Sequence, residues 1–174
     1  MVQKVVNVLP AIGVAGQKVA TDSARYLGYN PLSDGTVVVG AFAFAKIAGG
    51  SQSAPFAIVS ASSSSGDPTE DKPLGFVERV VDVALENVTA SGTNILPEGA
   101  VVTVAVQGQF YINVPVGLSS IKSGMSVFVS PITGAINLAS SAGLDEVDTG
   151  FKVVIPNGGA SANAGDVVII EKFN

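Results

Sequence analysis

Asp67, Glu70 and Asp71 form the densest group of carboxylates in the sequence, and Asp145, Glu146 and Asp148 form the second. Carboxylate oxygens at such spacing are ligands for a hard cation, and Ca²⁺ takes roughly six to eight of them. Neither group has the central Gly and terminal Glu of a calcium loop, so each reads as a solvated loop and no metal site is assigned. Serines close to Lys72 and Lys122 raise a second chemistry, a serine nucleophile with a lysine base. Such a lysine must be desolvated, whereas Lys72 sits beside Glu70 and Asp71 in a charged stretch. Glu78 with Glu98 could act as a glycosidase pair, but any chain with 14 acids offers such pairs. Sugar sites add aromatic platforms, and here there are 3 Tyr and no Trp. Gly49-Gly50 and Gly158-Gly159 lack the strand, helix and Lys-Ser/Thr ending of a phosphate loop, so they read as connections.

The sequence contains neither His nor Cys. That removes imidazole and thiolate metal ligands, the usual general base near neutral pH, the Ser-His and Cys-His nucleophile pairs, and disulfides. The expectation is a protein that is not an enzyme and carries no cofactor. A net charge of −5 with singly scattered cations argues against a nucleic-acid partner, because neutralising phosphates requires clustered Lys and Arg.

Only 13% of residues are charged, against about 25% in ordinary soluble domains, and the mean hydropathy is +0.49. A spanning helix would need about 20 apolar residues, and the longest run, 37–45, ends at Lys46. Apolar surface hidden by partner subunits is the better account. Lys4 and the valines after it imitate a secretory signal, but Asn7 and Pro10 interrupt the run and no small-residue cleavage site follows.

These residues must be positioned by strands. Glu98-Gly99 precedes an apolar run at 100–106, Ser123-Gly124 precedes 125–129, and Ala164-Gly165 precedes 166–170. Gly turns the backbone and the β-branched residues that follow favour a pleated surface. Residues 35–47 alternate Phe42 and Phe44 with small Ala41, Ala43 and Ala45, which suits a strand whose faces meet different neighbours. Further strands are expected at 56–59, 76–88, 151–155 and 167–171. The run at 100–106 reads as a doubly covered strand, followed by a bulge or tight turn at Gly108 and a next strand lined by Phe110, Ile112 and Val114. Residues 127–129 and 135–138 flank a hairpin turn at 131–134, and Asn157-Gly158 reads as another turn. Residues 17–27 could form a helical turn or two.

At 174 residues one domain is expected, all-β, closed as a small β-barrel or a jelly-roll-like sandwich at 30–174. Residues 1–29, broken by Pro10, Gly13, Gly16 and Gly28, read as an extended N-terminal arm.

Several blocks together resemble a family. Lys72-Pro73-Leu74-Gly75-Phe76-Val77, Leu96-Pro97-Glu98-Gly99, Gln107-Gly108-Gln109-Phe110-Tyr111-Ile112, Ser123-Gly124-Met125-Ser126-Val127-Phe128-Val129 and Pro131-Ile132-Thr133-Gly134 follow in the order and spacing of the phage structural cement (capsid decoration) proteins. The opening Pro10-Ala11-Ile12-Gly13-Val14-Ala15-Gly16 and the closing Ala164-Gly165-Asp166-Val167-Val168-Ile169 are similar to that family's ends. The resemblance implies a protein on the exterior of the virion that binds the outer surface of the shell, bridges neighbouring subunits of the major capsid protein, and touches copies of itself as a dimer or trimer. It also places Leu9, Pro10, Ile12 and Val14 of the arm at the capsid or subunit interface. A carbohydrate-binding or adhesion module is the alternative, weakened by the scarcity of aromatic residues. A hydrolase with an unusual nucleophile is a third reading, disfavoured by the missing His and Cys.

Overall fold

β3 (Phe42–Lys46) turns Phe42 and Phe44 to one face and Ala43 to the other, and the two faces meet different cores. Phe42 and Phe44 belong to the larger cluster with Phe76, Phe110 and Phe151; Ala43 belongs to a smaller one with Val37, Val39, Val59, Val77 and Val104. β5 (Gly75–Val77) is split in the same way, Phe76 to the larger core and Val77 to the smaller. The large-small alternation of the sequence therefore has a packing cause: these strands lie between two cores, one filled by rings and one by valines. Phe76 meets Phe42 edge-on at 5.5 Å between centroids, an arrangement that favours the ring quadrupoles.

The computed structural model describes residues 13–19, 23–46, 58–69, 71–80, 94–156 and 160–173. Among them there is no α-helix. The other strands are β1 (Arg25–Tyr26), β2 (Leu32–Ser33), β4 (Ile58–Ser60), β6 (Val104–Asn113), β7 (Ser126–Val129), β8 (Ile136–Ala139), β9 (Val147–Val154) and β10 (Val167–Lys172). They form one sheet in the order β2-β4-β3-β5-β6-β10-β9-β7-β8, with β1 paired to β6 beside this path. The path has two ends and is not closed into a barrel, so of the two expected closures the sandwich-like one is found.

β6 is the spine. One of its edges is shared by β5, paired at Val104 and Ala105, and β10, paired from Gly108 to Asn113. The other edge is followed by the N-terminal segment. Lys18 bridges Phe110, β1 pairs Arg25 with Gln107 and Tyr26 with Ala105, and Leu27 N donates to Val104 O at 3.0 Å. Farther along, Val102 N donates to Pro31 O and Ser33 N to Ala100 O, both at 2.8 Å. The helical turn expected within 17–27 is absent from the described residues there, because their backbone groups bond to the open edge of β6.

Gly108 does not end a strand. It sits inside β6 at φ +127, just past the point between Ala105 and Gln107 where the register with β1 shifts, so the two strands expected around it are one bulged strand. The hairpin at 131–134 is found, with Val129 opposite Ile136. β9 begins before the expected 151, alternating Val147, Thr149, Phe151 and Val153 inward. Buried Thr149 satisfies its hydroxyl by donating to Val127 O at 2.7 Å. The strand expected at 76–88 is found over its first two residues; 81–88 lie outside the described residues, as does the Asn157-Gly158 turn.

Candidate functional site

Of the four expected interface residues, Leu9, Pro10 and Ile12 lie outside the described residues. Val14 is described and 55% exposed, on a turn in which Gln17 N donates to Val14 O at 2.9 Å and Val14 N to Gln17 Oε1 at 3.2 Å.

Immediately around Val14 the chain is fastened down, and two glycines make this possible. At Gly13 the backbone lies against the ring of Tyr111, so that a Cβ would stand 2.2 Å from Tyr111 Cδ2. Gly16 adopts φ +86, a region side chains rarely enter, and a Cβ there would stand 2.8 Å from Val39 Cγ1. Its N–H donates to Tyr111 O and its carbonyl accepts from Arg79 N, both at 2.8 Å. Arg79 fixes the site from the other side: Nε donates to Ala15 O at 3.4 Å and Nη2 to Asn94 Oδ1 at 2.9 Å. Val80, next to Arg79, is 37% exposed, so two valines stand outward from one backbone clamp.

Tyr26 closes the neighbouring stretch. Burial first, then the hydrogen bond to the Glu78 carboxylate and its charge, push the Tyr26 phenol far above the usual tyrosine range. The phenol thus keeps its proton to higher pH than an ordinary tyrosine. Glu98 stands exposed on the 98–99 turn.

The acidic groups organise loops. Asp71 accepts from the hydroxyls of Ser63 and Ser65 and from Asp67 N at 3.0 Å, and the Ser63 bond first, then the Ser65 bond, hold its carboxyl below the ordinary range. Asp67 Oδ1 accepts from Thr69 N at 2.8 Å; Glu70 lies outside the described residues. In the second group, Glu146 accepts from Asn137 Nδ2 at 2.8 and 3.1 Å and from Gly143 N at 2.7 Å, and Asp148 Oδ1 accepts from Gly150 N at 2.8 Å. Among the described residues no three His, Cys, Asp or Glu side chains gather to hold a metal ion. Among the described residues a serine-lysine contact forms between Lys152 Nζ and Ser126 Oγ at 2.5 Å, residues directly opposite on β9 and β7, and it involves neither Lys72 nor Lys122. Lys46 pairs with Asp34 at 2.9 Å; burial raises the Asp34 carboxyl, but hydrogen bonds from Thr36 and Lys46 outweigh it and leave the group below its ordinary value.

Sequence reasoning missed Arg79 and Tyr111, which hold the root of the N-terminal segment. The spacing Gly13-x-x-Gly16 was the available signal, and it says only that the backbone is approached closely.

No curated protein matches the sequence. A chain in the solved capsid of Myoviridae phage XM1 shares the fold, with a TM-score of 0.58 at 13% identity, covering 98% of this chain and 93% of that one. The family model for the XM1 gp53 minor capsid protein matches residues 2–172, nearly the whole length, and agrees with the capsid class that the cement-protein motifs implied. With this match over its length, and with a fold found in a phage shell, the chain belongs to the XM1 gp53 minor capsid protein family and is a component of a phage capsid.

Proposed function

We propose that this protein is a non-enzymatic cement protein: it attaches to the outer surface of the assembled shell and bridges neighbouring subunits of the major capsid protein. Within residues 1–29, the part from Gly13 onward is the root that lies along β6, and the residues ahead of Gly13 serve as the arm that reaches across the joint. Copies touch one another, as a dimer on a two-fold joint or a trimer on a three-fold one.

The observation that carries this reading is the clamp at Gly16. A segment that must transmit load from the shell to a β domain has to be fastened at its root, and backbone bonds from Gly16 to both Tyr111 and Arg79 do that. Ahead of it the sequence offers Val5, Val6, Val8, Leu9 and Ile12, interrupted by Pro10, a composition suited to lying extended on a partner. Each apolar side chain so buried contributes about 1.5–3 kcal/mol before ordering costs. Many weak attachments on one shell act together, so modest contacts suffice.

The test is co-sedimentation with shells that lack this protein, comparing the full chain with a variant without residues 1–12. The full chain should pellet with the shells and the truncated one should bind much more weakly while melting at nearly the same temperature. Equal binding of the two would remove the arm from the interface.

A further inference from the structure

We propose that the outer edge of β8 is a self-association surface, pairing antiparallel with β8 of a second copy across a two-fold axis. β8 ends the strand path: among the described residues β7 is its one ladder partner and no strand meets its far side. Natural proteins protect such an edge with lysine, proline or a bulge, because its unpaired N–H and C=O groups recruit other strands. β8 has none of these. From Pro131 to Leu144 the chain carries no charge at all, within a protein of net charge −5.

That neutrality identifies the occupant. A two-fold contact sets each copy's surface against the same surface of the other, so charges of one sign on it would meet or crowd one another; a neutral stretch in an acidic chain is self-compatible. The edge is also held rigid. Gly134 packs so that a Cβ would stand 2.4 Å from Ala61 O, and Ser63 N donates to Pro131 O at 2.7 Å, which fixes the hairpin turn against the serine-rich loop. Asn137, the polar side chain within β8, already donates to Glu146. The strand thus offers backbone groups with little left to order. Ile132, 55% exposed, adds an apolar contact at the turn end.

Antiparallel pairing centred on Leu138, which faces its own copy at the axis, sets Ile136 opposite Ser140, and one step outward it sets Ala135 opposite Ser141. Both of the latter are exposed, so they can be changed without touching either core. This inference deepens the proposed contact between copies by naming its surface. It is tested without shells, so its failure and the failure of capsid attachment are distinguishable.

Sedimentation velocity over a concentration series on the full chain should reveal a reversible dimer. The double variant Ala135→Lys/Ser141→Lys places two like-charged pairs across the axis, and Ala135→Glu/Ser141→Lys places two opposite-charged pairs. Their dimer dissociation constants should differ by roughly ten-fold, the first weaker and the second equal to or tighter than the parent. A chain monomeric throughout the series would overturn the proposal. So would equal effects of the two doubles, which would mean that the register is wrong, or oligomers that neither double changes, which would place the self-contact elsewhere.

Discussion

Gly13 lies flat on the ring of Tyr111, with no space for even a methyl group between them: a Cβ would stand 2.2 Å from Cδ2. This close approach, three residues ahead of the Gly16 clamp, lets the N-terminal segment run onto β6 without lifting from it.

Gly13→Ala should therefore loosen the root of the segment. Overpacking of this kind typically costs about 1–3 kcal/mol, here reduced by whatever movement the Tyr111 ring allows. Denaturant unfolding of Gly13→Ala, Tyr111→Ala and the double variant checks it. The double should be less destabilised than the sum of the singles, because removing the ring removes the clash.

Gly16→Ala and Gly117→Ala separate conformation from crowding. Both glycines have positive φ, +86 and +92, but Gly117 has open space around it while Gly16 faces Val39 and the backbone of Gly40. Gly117→Ala should cost on the order of 1 kcal/mol for the backbone conformation alone. Gly16→Ala should cost that and a further 1–3 kcal/mol or so for crowding, visible in urea melts.

Stability should decline at both ends of the pH scale for identifiable reasons. The Asp34 carboxyl lies below its ordinary value when folded, so its contribution is present above roughly pH 4 and is lost as pH falls below it. The effect is small because water screens its partner Lys46, and Asp34→Asn should flatten it.

At the alkaline end the Tyr26 phenol is raised when folded. Its contribution is whole below about pH 10, the ordinary tyrosine value, and declines as pH rises above that, since the unfolded chain then loses the proton first. Thermal melts from pH 8 to 11 should show a fall in Tm that Tyr26→Phe makes shallower.

How far the sequence disclosed this molecule depends on whether a feature is local. The β7–β8 hairpin, β3 and β10 announce themselves through alternation and glycine turns within a few residues. The first half of β9 does not, because Asp148, Thr149 and Gly150 have turn chemistry, and only the bond from Thr149 to Val127 makes a buried threonine acceptable there. Residues 17–27 looked able to coil because nothing near them in sequence reveals that β6 has an edge to fill. The acidic groups were legible as loops, but which acid organises each loop was not: Asp71 gathers two serine hydroxyls and Glu146 ties Asn137 to Gly143 through folding alone. Val14 stood out as apolar in a broken segment, whereas Arg79 and Tyr111 joined it through pairings distant in sequence.

Electron cryo-microscopy of shells saturated with this protein tests the account's core claim, attachment outside the shell with bridging. The account predicts density for the β domain on the outer surface at joints between major capsid subunits, with residues ahead of Gly13 extending from the Gly16 root onto a neighbouring subunit. Density on the inner surface, or a domain seated on one capsid subunit with no contact to the next, would contradict it.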